Sequence, residues 1–307
     1  MRSLVIIAAA AANLAQQAAP QQPTAPPPAT DIYLLPLTDG LASMKTARPS
    51  PIANAPGYEN QPSFSPDGGR VLFAANRGTQ TDVYVFDRAT GRTSQLTDTP
   101  ENENSPTYLP AGVGEPGGFS VVRTEADRSQ RLWRFDAQGR NPQIVLTEIK
   151  PVGYHAWVDA DAVVLYVLGQ PATLRIASVK SGAAEIVASN IGRSLNRVPG
   201  TTSVKAVSFV AREASGEFWI KQVDISSKAI DPLVKAVDGS IDRDTAWMPD
   251  GRTLLMSSGT KIFSWTRGAG VWTEVFDAAT HNLGAVSRLA VSPRGDAVAI
   301  VVAEPKK

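Results

Sequence analysis

The chain has 307 residues, of which 43% are hydrophobic and 19% are charged, and its formal net charge at pH 7 is +1. Such a chain can bury a sizeable core in one large domain, and its balanced charge argues against a nucleic-acid partner. It has no cysteines and only two histidines. Disulfides, thiolate sites, cysteine nucleophiles and a lipid-attachment cysteine are therefore excluded, and neither a metal nor a cofactor is expected.

The N-terminus has the pattern of an export signal. Met1-Arg2-Ser3 precedes the apolar run Leu4–Ala12 and a stretch of small residues, which predicts a signal peptide over residues 1–19. The run is too short to span a bilayer, so the mature protein should be periplasmic or secreted and have no transmembrane segment. A disordered Ala/Gln-rich start of a cytoplasmic protein is the alternative. The Pro/Gln/Ala-rich residues 20–30 read as a linker, and residues 31–307 as the folded domain.

One sequence motif recurs along the predicted folded domain. Pro62-Ser-Phe-Ser-Pro-Asp-Gly68 and Thr245-Ala-Trp-Met-Pro-Asp-Gly251 are near-copies, and looser echoes begin at Pro106, His155 and Leu289. Self-similarity at a spacing of roughly 40–50 residues indicates a repeat architecture.

Each repeat reads as four short strands separated by turns. In the best-preserved repeat the strands are Gln61–Ser65, Arg70–Ala75, Asp82–Asp87 and Arg92–Thr97. The same order predicts four further units, with first strands at Ser105–Leu109, Tyr154–Val158, Leu195–Val198 and Asp244–Met248, and a fourth strand at Pro142–Thr147 in the second unit.

Two half-units remain at the ends. Arg288–Ser292 and Ala297–Ala303 resemble first and second strands, whereas Ile32–Leu37 and Ser43–Arg48 resemble third and fourth strands. Together they complete one unit, which predicts an all-β, six-bladed propeller of four-stranded antiparallel blades, closed by N-terminal strands that pair with C-terminal ones. Tyr33 and Val298 should then lie in one sheet. A periodic β-sandwich or a β-helix is the alternative.

Phe64-Ser-Pro-Asp-Gly68 with Asp82–Thr97, and Trp247-Met-Pro-Asp-Gly251, resemble the TolB-type propeller repeat, which also occurs in propeller domains of prolyl-oligopeptidase-like enzymes. The resemblance covers residues 32–303 and implies a scaffold rather than a particular activity. TolB carries a separate α/β domain before its propeller. Only a short tether precedes the first strand here, so docking through such a domain is not expected.

Several conspicuous residues have structural interpretations. Asp67, Asp87 and Asp250, beside glycines, are predicted turn-makers. A second group occupies equivalent first-strand positions and is predicted to wedge between neighbouring blades: Phe64, Tyr108, Trp157 and Trp247.

The residues just before the inner strands are predicted to ring the mouth of the central channel. This candidate binding site contains both signs of charge, several amides and one imidazole: Glu59, Asn60, Gln61, Glu103, Asn104, Tyr154, His155, Asn196, Arg197, Asp242, Asp244, Ser287 and Arg288. Such a ring suits a peptide terminus or a small polar ligand. The alternative is a water-filled channel whose polar rim is simply solvated.

Evidence for catalysis is weak. The sequence has no Gly-x-Ser-x-Gly elbow. The loop Asp238–Asp244 places oxygen ligands at alternate positions, but Arg243 and Pro249 stand where a calcium loop has glycine and glutamate. We therefore expect a monomeric, non-catalytic, exported propeller that binds or scaffolds a protein or peptide partner in the cell envelope. The alternative is a small-ligand or carbohydrate-binding propeller, or a propeller enzyme using channel carboxylates and His155 with a divalent cation.

Overall fold

The computed structural model describes residues 28–200, 205–240 and 243–304, which form a six-bladed β-propeller of four-stranded antiparallel sheets. The predicted signal peptide (residues 1–19), most of the linker and Asp242 lie outside the described residues. Within the described part, no helix has the length and apolarity needed to cross a membrane.

The strands follow the predicted order. At the N-terminal end are β1 (Thr30–Pro36), β2 (Thr38–Leu41) and β3 (Ser50–Ala53). Blade 1 contains β4 (Glu59–Phe64), β5 (Arg70–Asn76), β6 (Thr81–Asp87) and β7 (Arg92–Gln95). Blade 2 contains β8 (Asn102–Tyr108), β9 (Phe119–Thr124), β10 (Gln130–Phe135) and β11 (Gln143–Ile144). Blade 3 contains β12 (Val152–Trp157), β13 (Ala162–Val167), β14 (Thr173–Ser178) and β15 (Ala184–Ser189).

The remaining strands complete the ring. Blade 4 contains β16 (Ile191–Arg197), β17 (Ala206–Arg212), β18 (Phe218–Asp224) and β19 (Ile230–Lys235). Blade 5 contains β20 (Thr245–Trp247), β21 (Thr253–Ser258), β22 (Lys261–Thr266) and β23 (Thr273–Asp277). Blade 6 combines β24 (Val286–Val291) and β25 (Ala297–Ala303) with β1 and β3. Short 3₁₀ helices lie at Met44–Thr46 and Ala278–His281.

The closure of the ring is confirmed. Strand β1 pairs antiparallel with β25, with Tyr33 opposite Ile300 and Leu35 opposite Val298. The sheet order β24-β25-β1-β3 places both ends of the folded chain in one blade.

The fourth strand of blade 6 is not where the sequence predicted it. Within Ser43–Arg48, Met44–Thr46 forms a 3₁₀ helix, and the strand is Ser50–Ala53 instead. The Met44 side chain is completely buried in the hydrophobic cluster between blades 5 and 6. Pro51 fits the real outer strand because an edge strand does not need every N–H for pairing. In blade 2, the predicted outer strand Pro142–Thr147 shortens to Gln143–Ile144.

The core consists of six hydrophobic clusters, each drawn from two neighbouring blades. The predicted aromatic wedges lie in these clusters, and each packs against the preceding blade. The Trp157 indole N–H donates to Ser120 of blade 2, and the Trp247 indole N–H donates to Ser208 of blade 4. Since a buried indole needs a partner for its N–H, these bonds fix the position of both wedges.

The predicted turn-makers act as expected. The Asp67 carboxylate accepts the N–H of Gly69, and the Asp250 carboxylate accepts the N–H groups of Arg252 and Thr253. Gly251 has a φ of +63°, a backbone conformation in which glycine is unstrained.

Most first strands contain a bulge. In β4, β8, β12, β16 and β24, the pairing with the second strand shifts register part-way along the strand. These five strands start before the predicted boundaries, because the sequence alternation was legible only after the bulge. A bulge re-aims side chains, and here it does so beside the central axis.

Candidate functional site

Each blade contributes one residue to a ring, which lies within the inner strand in five blades and immediately before it in blade 5. The ring residue stands three places before the wedge position in every blade. Its members, which we call the floor ring, are Gln61, Ser105, Tyr154, Ser194, Asp244 and Arg288, and all six line one cavity. In blades 1 and 2 the ring residue has a positive φ of 59° and 53°, respectively.

The cavity has a volume of about 1050 Å³. It extends from the floor ring to the turns that link first to second strands, so its mouth lies at those turns. Proline recurs at this rim, at Pro66, Pro110, Pro199, Pro249 and Pro293. From Gln61 to Pro66 the chain advances five residues, which gives a depth of about 15 Å at the usual strand rise.

A contact across the ring closes the channel at the floor. Arg288 of blade 6 donates from Nη2 to the Tyr154 hydroxyl of blade 3, over 2.9 Å. Blades 3 and 6 lie opposite each other in a ring of six, so this side chain crosses the axis. The guanidinium also lies near the Tyr154 ring, with Cζ 5.1 Å from the ring centroid. The central channel therefore narrows into a pocket with a cationic floor.

Asp244 is the acidic member of the floor ring. The residue is 6% exposed, and its Oδ2 accepts the N–H of Leu289 from blade 6 over 2.8 Å. Burial raises the pKa of Asp244, while the charges of Arg288 and Arg193 favour its ionised form. Arg193 adds a second guanidinium to the lining and donates to the Ser287 carbonyl over 3.3 Å.

Floor-ring side chains also bond adjacent blades together. Gln61 Oε1 accepts the N–H of Ser105, and Ser194 Oγ accepts the N–H of Thr245. The Asp244 contact with Leu289 has the same form. These bonds satisfy backbone N–H groups of the inner strands, at Ser105 and Leu289 in or beside a bulge, and link neighbouring blades at the floor.

His155 is buried next to the floor. Its Nε2 lies 2.7 Å from Ser120 Oγ, whereas its Nδ1 is buried and has no hydrogen-bond partner among the described residues. Ser120 Oγ accepts from the Trp157 indole and can donate to the Thr107 carbonyl over 3.2 Å, so the Nε2–H tautomer satisfies every group except Nδ1. Burial lowers the pKa of His155 to about 3. A neutral, enclosed imidazole is poorly suited to proton transfer near pH 7.

The predicted ring of site residues divides into two groups. Tyr154, His155, Arg197, Asp244 and Arg288 line the cavity, together with Gln61 and Asn196 from the wider set. Their role in binding stays a prediction. Asp242 lies outside the described residues. Glu59, Asn60, Glu103 and Asn104 do not line the cavity, because they lie in the parts of β4 and β8 that precede the floor ring.

The two glutamates of that second group are buried and form ion pairs, Glu59 with an exposed arginine and Glu103 with a buried one. Glu59 bonds Arg77 over 2.6 Å, and Glu103 bonds Arg123 over 3.0 Å. Burial raises the pKa of both carboxyl groups, although the arginines oppose this shift. In each case the first strand is tied to the end of the second strand of its own blade. Asn60 is also buried and donates to Thr30 Oγ1, whereas Asn104 is half-buried in β8.

The cavity therefore lies toward the other end of the inner strands from the predicted mouth. The cavity opens at the turns that follow these strands, not at the residues that precede them. Sequence reasoning also missed Arg193 because the predicted first strand of blade 4 began at Leu195, whereas β16 begins at Ile191. Alignment of the six wedge positions was the available signal, since it places Arg193 immediately before the ring residue Ser194.

Comparison with known proteins identifies the fold. No protein-family model and no curated protein matches the sequence. A solved structure described as a putative TolB from Agrobacterium tumefaciens is similar, with a TM-score of 0.68 at 15% identity over 91% of this chain and 99% of that chain. The fold is that of a TolB-type β-propeller. The TolB of Acinetobacter baumannii gives a TM-score of 0.58 at 13% identity over 91% of this chain, which spans 65% of that protein.

This chain is also similar in fold to solved structures of an enzyme. An oligogalacturonate lyase from Vibrio parahaemolyticus gives a TM-score of 0.50 at 13% identity, over 80% of this chain and 89% of that chain. A further structure is an oligogalacturonate lyase in complex with manganese. In the described part of this TolB-type propeller, no group of three or more His, Asp or Glu side chains is placed to hold a metal ion.

Proposed function

We propose that this protein is an exported, non-catalytic propeller that binds a polypeptide segment of an envelope partner in its central cavity. The observation that carries the proposal is the shape of that cavity: closed at one end by the Arg288–Tyr154 contact and open at the other through a proline-rich rim. A volume of about 1050 Å³ is at the upper end of the usual range for ligand pockets.

The lining suits a polypeptide chain. Its walls combine apolar surface from Phe64, Tyr108 and Leu195 with hydroxyl and amide groups from Thr107 and Asn196. Apolar walls with a few fixed polar groups are typical of specific binding pockets. An extended segment of about five residues spans the depth of about 15 Å. The export signal read in the sequence and the likeness to TolB structures favour a partner in the cell envelope.

Carbohydrate binding or lyase chemistry is the second candidate, favoured by the similarity to oligogalacturonate lyases. The residues of this cavity support it less well. His155 is neutral and bonded to Ser120, and Asp244 is the only carboxylate in the floor ring. Acid–base catalysis needs a group that can exchange protons near the working pH.

Blocking the mouth tests the proposal. Ala111 is an exposed rim residue, so Ala111→Trp should obstruct entry, whereas Ala89→Trp puts the same bulk on an exposed turn outside the cavity. Partners are first captured from envelope extracts on the intact protein. Defined fragments of each partner are then made, and the dissociation constant of each fragment is measured. We expect Ala111→Trp to weaken binding by at least about tenfold and Ala89→Trp to leave it unchanged.

Other outcomes would contradict the proposal. Equal binding by both variants would place the partner outside the cavity. Turnover of oligogalacturonate by the intact protein, lost in Ala111→Trp, would replace the proposal with the lyase alternative.

A further inference from the structure

The floor of the cavity holds a cation without a paired anion. Among the described residues, the Arg288 guanidinium has one hydrogen-bond partner, the neutral Tyr154 hydroxyl, and no ion-pair partner. A guanidinium has five N–H donors in a fixed planar arrangement, so most of them have no protein acceptor. Largely buried charges in proteins are normally paired, and this one lies at the bottom of an open pocket.

Asp244 does not supply the missing partner. Its Oδ2 is bonded to the Leu289 N–H, and its interaction with Arg288 is electrostatic rather than a direct contact. Among the described residues, no carboxyl group therefore makes a direct bond to the Arg288 guanidinium.

The geometry selects the kind of anion. The Tyr154 ring and hydroxyl hold the guanidinium across the axis, and Arg288 lines the cavity. A guanidinium edge pairs with a planar carboxylate through two parallel N–H···O bonds. The walls between the floor and the rim are mostly uncharged, so the neutral part of a ligand would lie along them with its anionic group inserted first.

We infer that the inserted polypeptide segment presents a carboxylate group to Arg288 at the cavity floor, with Tyr154 as the residue that positions the guanidinium. This inference rests on the proposed function and adds the chemistry of the ligand. The carboxylate comes from the C-terminus of the segment or from an aspartate or glutamate side chain.

Acetylated pentapeptide mixtures of uncharged residues test the inference. They would be made in three forms: with a free C-terminal carboxylate, with a C-terminal amide, and as the amide with one aspartate. Retention on the immobilised full chain is measured by mass spectrometry. We expect at least about tenfold more retention of one or both carboxylate forms than of the neutral amide. Preference for the free acid identifies a C-terminus, and preference for the aspartate form identifies a side chain.

Variants separate recognition from folding. Arg288→Gln should reduce the preference to less than about twofold, and Arg288→Lys should keep part of it because the charge remains. Arg92→Gln, on an exposed outer strand, is the matched control and should behave as the wild type. Circular dichroism checks that each variant is folded. If Arg288→Gln does not fold, the retention of the three peptide forms is compared between the wild type and Arg288→Lys, and this comparison still tests the inference.

The possible failures are distinct. Equal retention of neutral and carboxylate peptides would overturn the carboxylate inference while segment binding stands. No retention of any peptide form, together with retention of oligogalacturonate, would overturn both the inference and the proposed function.

Discussion

Replacing His155 by glutamine should flatten the pH dependence of stability in mildly acidic solution. The residue is 7% exposed and lies against Ser120, and burial lowers its pKa to about 3. An imidazole in an unfolded chain has a pKa of about 6.5. Between these two pKa values, His155 is therefore protonated in the unfolded protein and neutral in the folded protein.

The sign and the size of the effect follow from linkage. Stability rises with pH wherever the unfolded state binds more protons, so the contribution of neutral His155 is complete above about pH 6.5 and decreases toward about pH 3. One proton corresponds to about 1.4 kcal/mol per pH unit. Between about pH 7.5 and about pH 5, the wild type should lose about 2 kcal/mol that His155→Gln retains.

Urea unfolding over this pH range, followed by fluorescence and circular dichroism together, measures the difference in free energy of unfolding. The carboxylates contribute equally to both proteins and cancel in the comparison. His281→Gln makes the same substitution at the other histidine, which stacks on Phe276 with a centroid distance of 5.4 Å, and shows the effect of a histidine-to-glutamine change elsewhere in the chain. Parallel curves for the wild type and His155→Gln would refute the assignment of a buried neutral imidazole.

Two further substitutions test the fold. Trp247→Phe should lower the free energy of unfolding by about 1–3 kcal/mol, because it removes the indole N–H bonded to the buried Ser208 hydroxyl and leaves unfilled volume between blades 4 and 5. A loss below about 0.5 kcal/mol in urea unfolding would contradict this wedge role. Gly251→Ala should destabilise the protein more than Gly91→Ala; both glycines have positive φ, but only at Gly251 would a Cβ meet a carbonyl of the neighbouring blade. Equal changes in melting temperature would show that the close approach does not matter.

Local chemistry explains which features were predictable. The turns depend on an aspartate followed directly by a glycine, so Pro66-Asp67-Gly68 and Pro249-Asp250-Gly251 could be recognised in the sequence. The wedge aromatics recur at a constant distance before these turns. The completion of blade 6 followed from counting strands, because a closed ring leaves no half-blade unpaired.

Non-local packing explains the errors. The segment around Met44 was read as a strand, but its side chain fills the cluster between blades 5 and 6, which the local pattern does not encode. The bulges in the first strands interrupt the two-residue alternation, so their early parts were read as loops. Glu59 and Glu103 lie outside the cavity for the same reason, since those residues are strand residues paired with Arg77 and Arg123.

By itself, the sequence determined the number of blades, the order of their strands and the way the ring closes, because these depend on repeated short-range signals. Only the tertiary structure decided which end of the channel is open and which charges lie at its closed end. Arg288 and Tyr154 are 134 residues apart in the chain and meet because the ring places blades 3 and 6 opposite each other. A contact across the axis depends on ring diameter and side-chain reach, and neither is written in the local spacing of residues.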